Sequence, residues 1–105
     1  MRTDLVINSK RVTEANDPIL DQVERTYNEA FPVEERRDFA LVRQLIANEP
    51  AFQLRVFYRE GAYVGFLSNW QFAGFRYVEH FAIDPAARNG GIGGIALGLF
   101  LALQE

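Results

Sequence analysis

Cysteine is absent from this sequence of 105 residues, which excludes disulfide bonds and thiolate nucleophiles. Long apolar runs are absent as well, since none approaches the roughly 18–20 residues that a membrane span needs. The first ten residues, MRTDLVINSK, lack the apolar core of a signal peptide. We therefore expect a cytoplasmic protein that has no membrane partner.

Lysine and histidine occur only once each, as Lys10 and His80, whereas Arg supplies ten of the eleven Lys and Arg residues. This bias suits contacts with anions, because the guanidinium group is planar and always charged. The net charge of −3 disfavours a nucleic-acid partner. Apolar residues make up 49% of the chain and aromatic residues 13%, which indicates one globular domain, 1–105.

The spacing of apolar residues predicts a strand, two helices, three antiparallel strands and a final helix, so the fold class is α/β (α+β). Asp17-Pro18 predicts the first helix start, because Asp accepts N–H bonds at an N-cap and Pro fits the first helical position. The second helix is expected to begin near Glu34, with acidic residues in its first turn, and to end near Asn48. The predicted strands cover residues 2–15, 52–59, 62–72 and 76–84.

Residues 76–97, RYVEHFAIDPAARNGGIGGIAL, carry the chemistry of the chain. An alternating strand runs through Asp84-Pro85 into a glycine-rich loop and then directly into an apolar helix. Amides at a helix start have no intrahelical partner, and the helix dipole adds positive charge there. Glycines allow close approach of the main chain, and Arg88 supplies a cation. The pattern predicts an anion cradle.

The loop also fits two other interpretations. Gly91-x-Gly93-x-x-Ala96 also fits the dinucleotide-binding pattern G-x-G-x-x-G/A. That motif follows its strand at a tight turn and needs an acidic residue about 20 positions later. Here residues 84–89 separate the strand from Gly90, and the sequence ends at Glu105. The other interpretation is a loop whose glycines only turn the chain.

The order Arg88-x-x-Gly91-x-Gly93 resembles the R/Q-x-x-G-x-G/A motif of the GNAT superfamily of N-acetyltransferases. The preceding HFAIDP is similar to that family's central strand. The resemblance implies a GNAT-like fold and transfer of an acetyl group from acetyl-CoA to a primary amine. It implies that the loop amides bind the pyrophosphate and that main-chain groups of the central strand bind pantetheine. The implied cofactor-binding residues are Phe81, Ala82, Ile83, Arg88, Asn89, Gly90, Gly91, Ile92, Gly93 and Gly94.

Glu79 is the candidate general base, since a carboxylate near the amine could accept its proton directly or through water. The competing interpretation is an exposed strand residue that pairs with Arg76. For His80 we favour a packing or hydrogen-bonded role. Because adjacent strand residues point to opposite faces, we expect Glu79 and His80 not to share one pocket. A general acid is not identified.

Acceptor binding is assigned to Phe31, Glu34 and Trp70. In the family the segment between the first two helices overhangs the acceptor site, so Phe31 could wall the pocket while Glu34 or Glu35 attracts a cationic amine. The competing interpretation makes Phe31 and Trp70 core residues and Glu34 a solvated charge. No metal is predicted.

The final helix is apolar around its whole circumference and must be covered on several sides. The resemblance implies that further strands and a helix normally follow it. We therefore expect an incomplete N-acetyltransferase domain that is inactive as this chain alone and self-associates through this helix. The alternative function is a non-catalytic acyl-CoA-binding or protein-interaction module of the same fold.

Overall fold

The computed structural model describes residues 6–88 and 90–103 of the chain. These residues form one four-stranded antiparallel sheet in the order β1-β2-β3-β4. The strands are β1 (Ile7–Val12), β2 (Phe52–Arg59), β3 (Ala62–Phe72) and β4 (Phe75–Ile83). The helices are α1 (Ile19–Ala30), α2 (Phe39–Asn48) and α3 (Ile92–Ala102). The predicted order of strands and helices is confirmed.

Tight turns join the three consecutive strands. Glu60 and Gly61 both have positive φ, 53° and 81°, which is the combination that suits a two-residue hairpin between right-twisted strands. Gly74, with φ 91°, turns the chain between β3 and β4. The predicted bounds of β2 and β3 are therefore correct, because alternation and turn residues both mark them.

The two faces of the sheet carry separate apolar clusters. On one face α1 and α2 pack through Leu20, Val23 and Val42 against strand residues that include Val56 and Phe66. On the other face α3 packs through residues that include Ile92, Ala96 and Phe100. The sheet is thus the middle layer, and within the described ranges β4 lies at its edge.

Asp residues determine where the first two helices begin. Asp17 Oδ1 accepts the Ile19 amide at 3.0 Å, in agreement with the predicted cap. The predicted start of α2 near Glu34 is wrong. Val33–Glu35 forms a short 3₁₀ helix instead, and α2 begins at Phe39 because the Asp38 side chain caps the Ala40 amide at 3.0 Å.

The pairing between β3 and β4 contains a bulge. Ser68 pairs with His80, but the next residue, Asn69, pairs with Val78. Glu79 is therefore an extra residue on β4 with no residue of its own opposite it. A bulge re-aims side chains locally, and this one lies at the centre of the candidate site described below.

The final helix is only partly covered. Ile92, Ala96 and Phe100 are buried, whereas Gly94 and Gly98 are exposed and Leu101 is 62% exposed. None of the helices in the described ranges has the length and apolar character that a bilayer crossing requires. Self-association through α3 stays a prediction.

Candidate functional site

The bulge brings Glu79 and His80 to the same side of β4. Both side chains line one cleft, and His80 Nδ1 lies 3.4 Å from Glu79 Oε2. The expectation that they could not share a pocket is wrong. Strict alternation of side chains holds only for a regular strand, and one inserted residue breaks it.

Glu79 is held by donors from two other parts of the fold. Arg37 makes a paired contact, with Nε 2.7 Å from Oε2 and Nη2 2.9 Å from Oε1. Trp70 Nε1 donates to Oε1 at 2.8 Å. The Arg37 hydrogen bonds lower the pKa of Glu79, with Trp70 adding to the effect, although burial opposes it. Glu79 is therefore ionised at neutral pH. Arg76, its partner in the competing interpretation, instead donates to the Phe100 carbonyl at 3.2 Å.

His80 is packed and hydrogen-bonded, as predicted. Its Nε2 lies 3.0 Å from the carbonyl oxygen of Glu35. A carbonyl only accepts, so this ring nitrogen must carry the proton and donate it. The ring also makes edge contacts with Tyr27 and Phe31, at centroid distances of 4.9 Å and 4.7 Å. His80 thereby joins the strand to the segment between α1 and α2.

The cleft above the bulge has a volume of about 530 Å³. Two of the residues assigned to acceptor binding, Phe31 and Glu34, lie in its wall. Trp70, the third, is not among the residues that line the cleft; it donates to Glu79 and packs edge-on against Phe52 at 5.2 Å. The lining residues are Phe31, Glu34, Glu35, Arg36, Arg37, Tyr77, Glu79 and His80. The two arginines were missed because the contact between Arg37 and Glu79 spans 42 positions of sequence.

The open edge of β4 presents main-chain groups at alternate residues. Asp84 donates its amide to the Val64 carbonyl at 2.8 Å, which makes these two a hydrogen-bonded pair. Since such pairs alternate along an antiparallel ladder, Ala82 directs its amide and carbonyl toward β3, while Phe81 and Ile83 direct theirs outward. Among the three residues assigned to pantetheine, the main-chain groups of Ala82 are thus used inside the sheet, whereas those of Phe81 and Ile83 point away from it.

Asp84 anchors the loop that follows β4 to helix α1. One carboxylate oxygen accepts the Ala86 amide at 3.2 Å, and the other accepts the Thr26 hydroxyl at 3.2 Å. Tyr63 completes this group, because its hydroxyl donates to Thr26 Oγ1 at 2.9 Å. Burial raises the pKa of Tyr63 to about 12, so its proton stays on this bond at all ordinary pH values.

The glycine loop opens α3 with free amides. Gly91 is the residue before the helix and adopts the left-handed conformation, with φ 74° and ψ 9°. Ile95 is bonded back to the Gly91 carbonyl at 3.4 Å. The amides of Ile92, Gly93 and Gly94 have no acceptor within the part of the chain that the structure describes. Asn89, also assigned to the cradle, lies outside the described residues.

Arg88 is engaged by the protein itself in this structure. Its guanidinium donates to the Ile83 carbonyl at 3.0 Å and to Glu29 Oε1 at 2.9 Å, and its amide donates to the Pro85 carbonyl at 3.4 Å. The Arg88 and Glu29 side chains are 42% and 49% exposed, so this ion pair can exchange with solvent ions. Arg88 therefore helps to shape the loop, and the free amides begin after it.

Within residues 6–88 and 90–103, no group of three or more His, Cys, Asp or Glu side chains is arranged so that it could hold a metal ion.

Comparison with known proteins identifies the class to which this fold and loop belong. The model of the acetyltransferase (GNAT) family matches residues 18–102, so the chain belongs to the GNAT acetyltransferase family. This match covers both α1 and the glycine loop. No curated protein matched the chain.

Solved structures show the same fold. A protein of Bacteroides thetaiotaomicron assigned to the GNAT family of acetyltransferases is 31% identical, with a TM-score of 0.81. That match covers 89% of this chain and 53% of the other, so the chain spans about half the length of that protein.

Two further structures are described with ligands. An aminoglycoside acetyltransferase from an uncultured soil metagenomic sample, in complex with sisomicin, is 23% identical over 90% of this chain and 68% of its own, with a TM-score of 0.63. The N-acetylglutamate synthase of Neisseria gonorrhoeae, complexed with coenzyme A and N-acetyl-glutamate, is 13% identical over 94% of this chain and 22% of its own, with a TM-score of 0.65. At these identities the likeness concerns the fold alone, and it agrees with the predicted α+β class.

Proposed function

We propose that this chain is the cofactor-binding part of an N-acetyltransferase that transfers an acetyl group from acetyl-CoA to a primary amine. The observation that carries the proposal is the row of amides of Ile92, Gly93 and Gly94 at the start of α3, which have no acceptor among residues 6–88 and 90–103. Such a row, together with the helix dipole, suits a diphosphate. Membership of the GNAT family and a structural neighbour described with coenzyme A both support it.

Pantetheine would lie along the open edge of β4. There Phe81 and Ile83 direct their main-chain groups outward. An extended ligand that contains amide groups can therefore form hydrogen bonds with this edge, as an additional strand would. The Phe81 amide follows directly after the bulge and the cleft, which makes it the donor nearest to the place where the thioester oxygen would become negative. The Ile83 carbonyl already accepts a hydrogen bond from Arg88 Nε, so pantetheine would share this acceptor with Arg88.

The acceptor amine would occupy the cleft beside the bulge, with Glu79 as general base. The carboxylate lines the cleft and is in the ionised form that a base requires. Phe31 and Glu34 would form the acceptor wall. The bond from the amine nitrogen to the acetyl carbon forms as the carbon–sulfur bond breaks, and CoA leaves as the thiolate.

Two measurements test this proposal. Calorimetry with CoA should show binding, whereas pantetheine, which lacks the diphosphate, should bind at least about tenfold more weakly. Release of free thiol from acetyl-CoA, measured on the intact protein with a panel of primary amines, tests the transfer step. Equal affinity for CoA and pantetheine would contradict the role of the amides.

The alternative is a non-catalytic module of the same fold that binds acyl-CoA or a protein. One structural observation favours it. Both carboxylate oxygens of Glu79 already accept hydrogen bonds from Arg37 and Trp70, so an acceptor amine would have to compete with these donors. This alternative predicts CoA binding without thiol release for any amine, so the same two measurements separate the two functions.

A further inference from the structure

Arg37 is fixed at both of its ends. Its amide donates to the hydroxyl of Tyr27 on α1 at 2.7 Å, and Tyr27 is only 2% exposed. Its guanidinium, at the other end, donates two parallel hydrogen bonds to Glu79 on the β4 bulge. A paired contact of this kind restricts both distance and orientation. Arg37 therefore links the helix layer to the edge strand across the cleft.

A second contact joins the same two regions. His80, beside Glu79 on the bulge, donates from Nε2 to the Glu35 carbonyl two residues before Arg37. Segment 31–38, which connects α1 to α2, is thus fastened to the bulge at two points. The segment also contributes most of the cleft wall, including Phe31 and Glu34. Its position decides the shape of the space above Glu79.

The charge state of Glu79 decides whether the stronger of the two contacts exists. Oε1 accepts from Arg37 and Trp70, and Oε2 accepts from Arg37, so protonation of either oxygen removes an acceptor site that is in use. Groups from every neighbouring element lie around the cleft that contains this carboxylate. Arg37, His80 and the neutral Trp70 of β3 contact Glu79 directly. The charged and titratable groups that share the cleft lining with it are Glu34, Glu35 and Arg36 from segment 31–38 and Tyr77 from β4, and Tyr27 of α1 interacts with it electrostatically.

We propose that Arg37 is a positioning residue that couples the protonation of Glu79 to the closure of segment 31–38 over the acceptor cleft. When Glu79 is ionised, Arg37 holds the segment against the bulge. When Glu79 gains a proton, the paired contact is lost and the segment opens. This inference rests on the proposed function, in which Glu79 receives the proton of the amine, so that the chemical step itself would loosen the wall and favour product release.

Trp70 makes the coupling measurable without turnover. It is the one tryptophan of the chain, it donates to Glu79, and the Arg37 guanidinium lies 5.9 Å from its ring. Tryptophan emission followed from pH 8 to pH 3 should show an acid transition that Glu79→Gln removes. In Arg37→Gln the midpoint should rise by about one pH unit, because the neighbouring cation is gone. Arg37→Lys, which keeps a positive charge at this position, should reverse part of that rise.

Controls assign each step. Arg43 on α2 forms another ion pair, with Asp21 on α1 at 3.1 Å. Neither residue lines the cleft, so Arg43→Gln should leave the midpoint unchanged. His80→Gln identifies any transition that belongs to the imidazole. Far-UV circular dichroism confirms folding at each pH. If Glu79→Gln does not fold, the midpoints of Arg37→Gln and Arg37→Lys decide the matter.

Amide exchange tests the closure itself. Residues 33–37 should exchange about two- to fivefold faster in Arg37→Gln at pH 7, the range that corresponds to a partly exposed ion pair. An unchanged midpoint in Arg37→Gln, or unchanged exchange in residues 33–37, would overturn the inference. Failure of CoA binding with the expected midpoint shift would instead contradict the proposed function, so the two failures are distinguishable.

Discussion

The bulge in the middle of β4 and the loop that follows the strand carry polar groups of different kinds. At the bulge the functional groups are side chains, Glu79 and His80, and each already has protein partners. At the loop that leads to α3 the functional groups are main-chain amides, and those of residues 92–94 have no acceptor among the described residues. The bulge thus satisfies its polar groups within the protein, whereas the loop has amides without an acceptor in the described part of the chain.

This difference teaches where a ligand should bind first. Unpaired amides at a helix start gain hydrogen bonds when an anion arrives, so binding there disrupts no existing contact. A ligand at the bulge has to compete with Arg37 for Glu79. We therefore expect the cofactor end to bind by simple docking and the acceptor end to respond by local rearrangement.

Gly65 gives the largest expected effect, because it sets the distance between the loop end of β4 and β3. A Cβ atom at Gly65 would lie 2.5 Å from the Ala82 carbonyl oxygen and 2.9 Å from Ile83 Cδ1. Gly65→Ala should lower the free energy of unfolding by about 2–3 kcal/mol, as overpacking of a tight site does. Gly98→Ala, where nothing lies within 4 Å, should leave stability unchanged or raise it by about 0.5–1 kcal/mol. Equal denaturation midpoints for both variants would contradict the close approach.

Two substitutions at Gly91 distinguish the effect of backbone strain from the effect of charge in the glycine loop. Asn and Asp both tolerate the left-handed conformation that Gly91 adopts, and they have nearly the same size. Gly91→Asp should bind CoA at least about tenfold more weakly than Gly91→Asn, a difference of about 1.4 kcal/mol, because only Asp repels the diphosphate. Calorimetry on the two variants measures it. Equal affinity for CoA would show that no anion lies beside this residue.

Tyr63 tests how firmly the loop is anchored. Tyr63→Phe removes the hydroxyl that donates to Thr26 and leaves this buried Thr26 with one hydrogen bond fewer. The free energy of unfolding should fall by about 1 kcal/mol, measured by chemical denaturation. Thr26 also donates to Asp84, so amide exchange at residues 85–88 should quicken as well. A loss of stability without faster exchange at residues 85–88 would show that Tyr63 stabilises the core but does not anchor the loop.

The ion pairs beside the bulge and beside the glycine loop give the smallest effects and the most direct contrast. A double-mutant cycle on Arg37 and Glu79 should give a coupling of about 0.5–1 kcal/mol at pH 7, since the Arg37 side chain is 40% exposed. The cycle on Arg88 and Glu29, both nearly half exposed, should give about 0.3 kcal/mol or less.

The pH dependence of the Arg37–Glu79 coupling follows from the pKa of Glu79, which is lower in the folded chain than in the unfolded chain. Its stabilising contribution is therefore fully present above the unfolded pKa and is lost as the pH falls through the folded pKa. The Arg37–Glu79 coupling should vanish on acidification. A coupling that persists at pH 2–3 would show that the charge of Glu79 is not its source.

The order of elements could be predicted because local rules marked it. Alternating apolar residues and the Glu60-Gly61 turn fixed β2 and β3, and Asp17 marked the start of α1. The start of α2 was placed too early, because acidic residues near Glu34 resemble a first helical turn while the actual cap is Asp38. Several residues in this segment satisfy the same local preference, and only the fold selects one.

The candidate site was less predictable than the fold. A bulge adds one residue without any mark in an alternating pattern, so the shared orientation of Glu79 and His80 could not be foreseen. The contact between Arg37 and Glu79 depends on the tertiary approach of segment 31–38 to β4. By contrast, the loop amides follow from the glycines and the helix start alone, which is why the motif at residues 88–93 was informative.

The most direct test of the central claim is a nuclear magnetic resonance titration of this chain with CoA, followed at each backbone amide. The account predicts that the amide resonances of Ile92, Gly93 and Gly94 shift most, in the direction of stronger hydrogen bonding, and that inorganic pyrophosphate reproduces the shifts while pantetheine does not. Shifts confined to the cleft at Glu79 and His80, with these three amides unmoved, would contradict it.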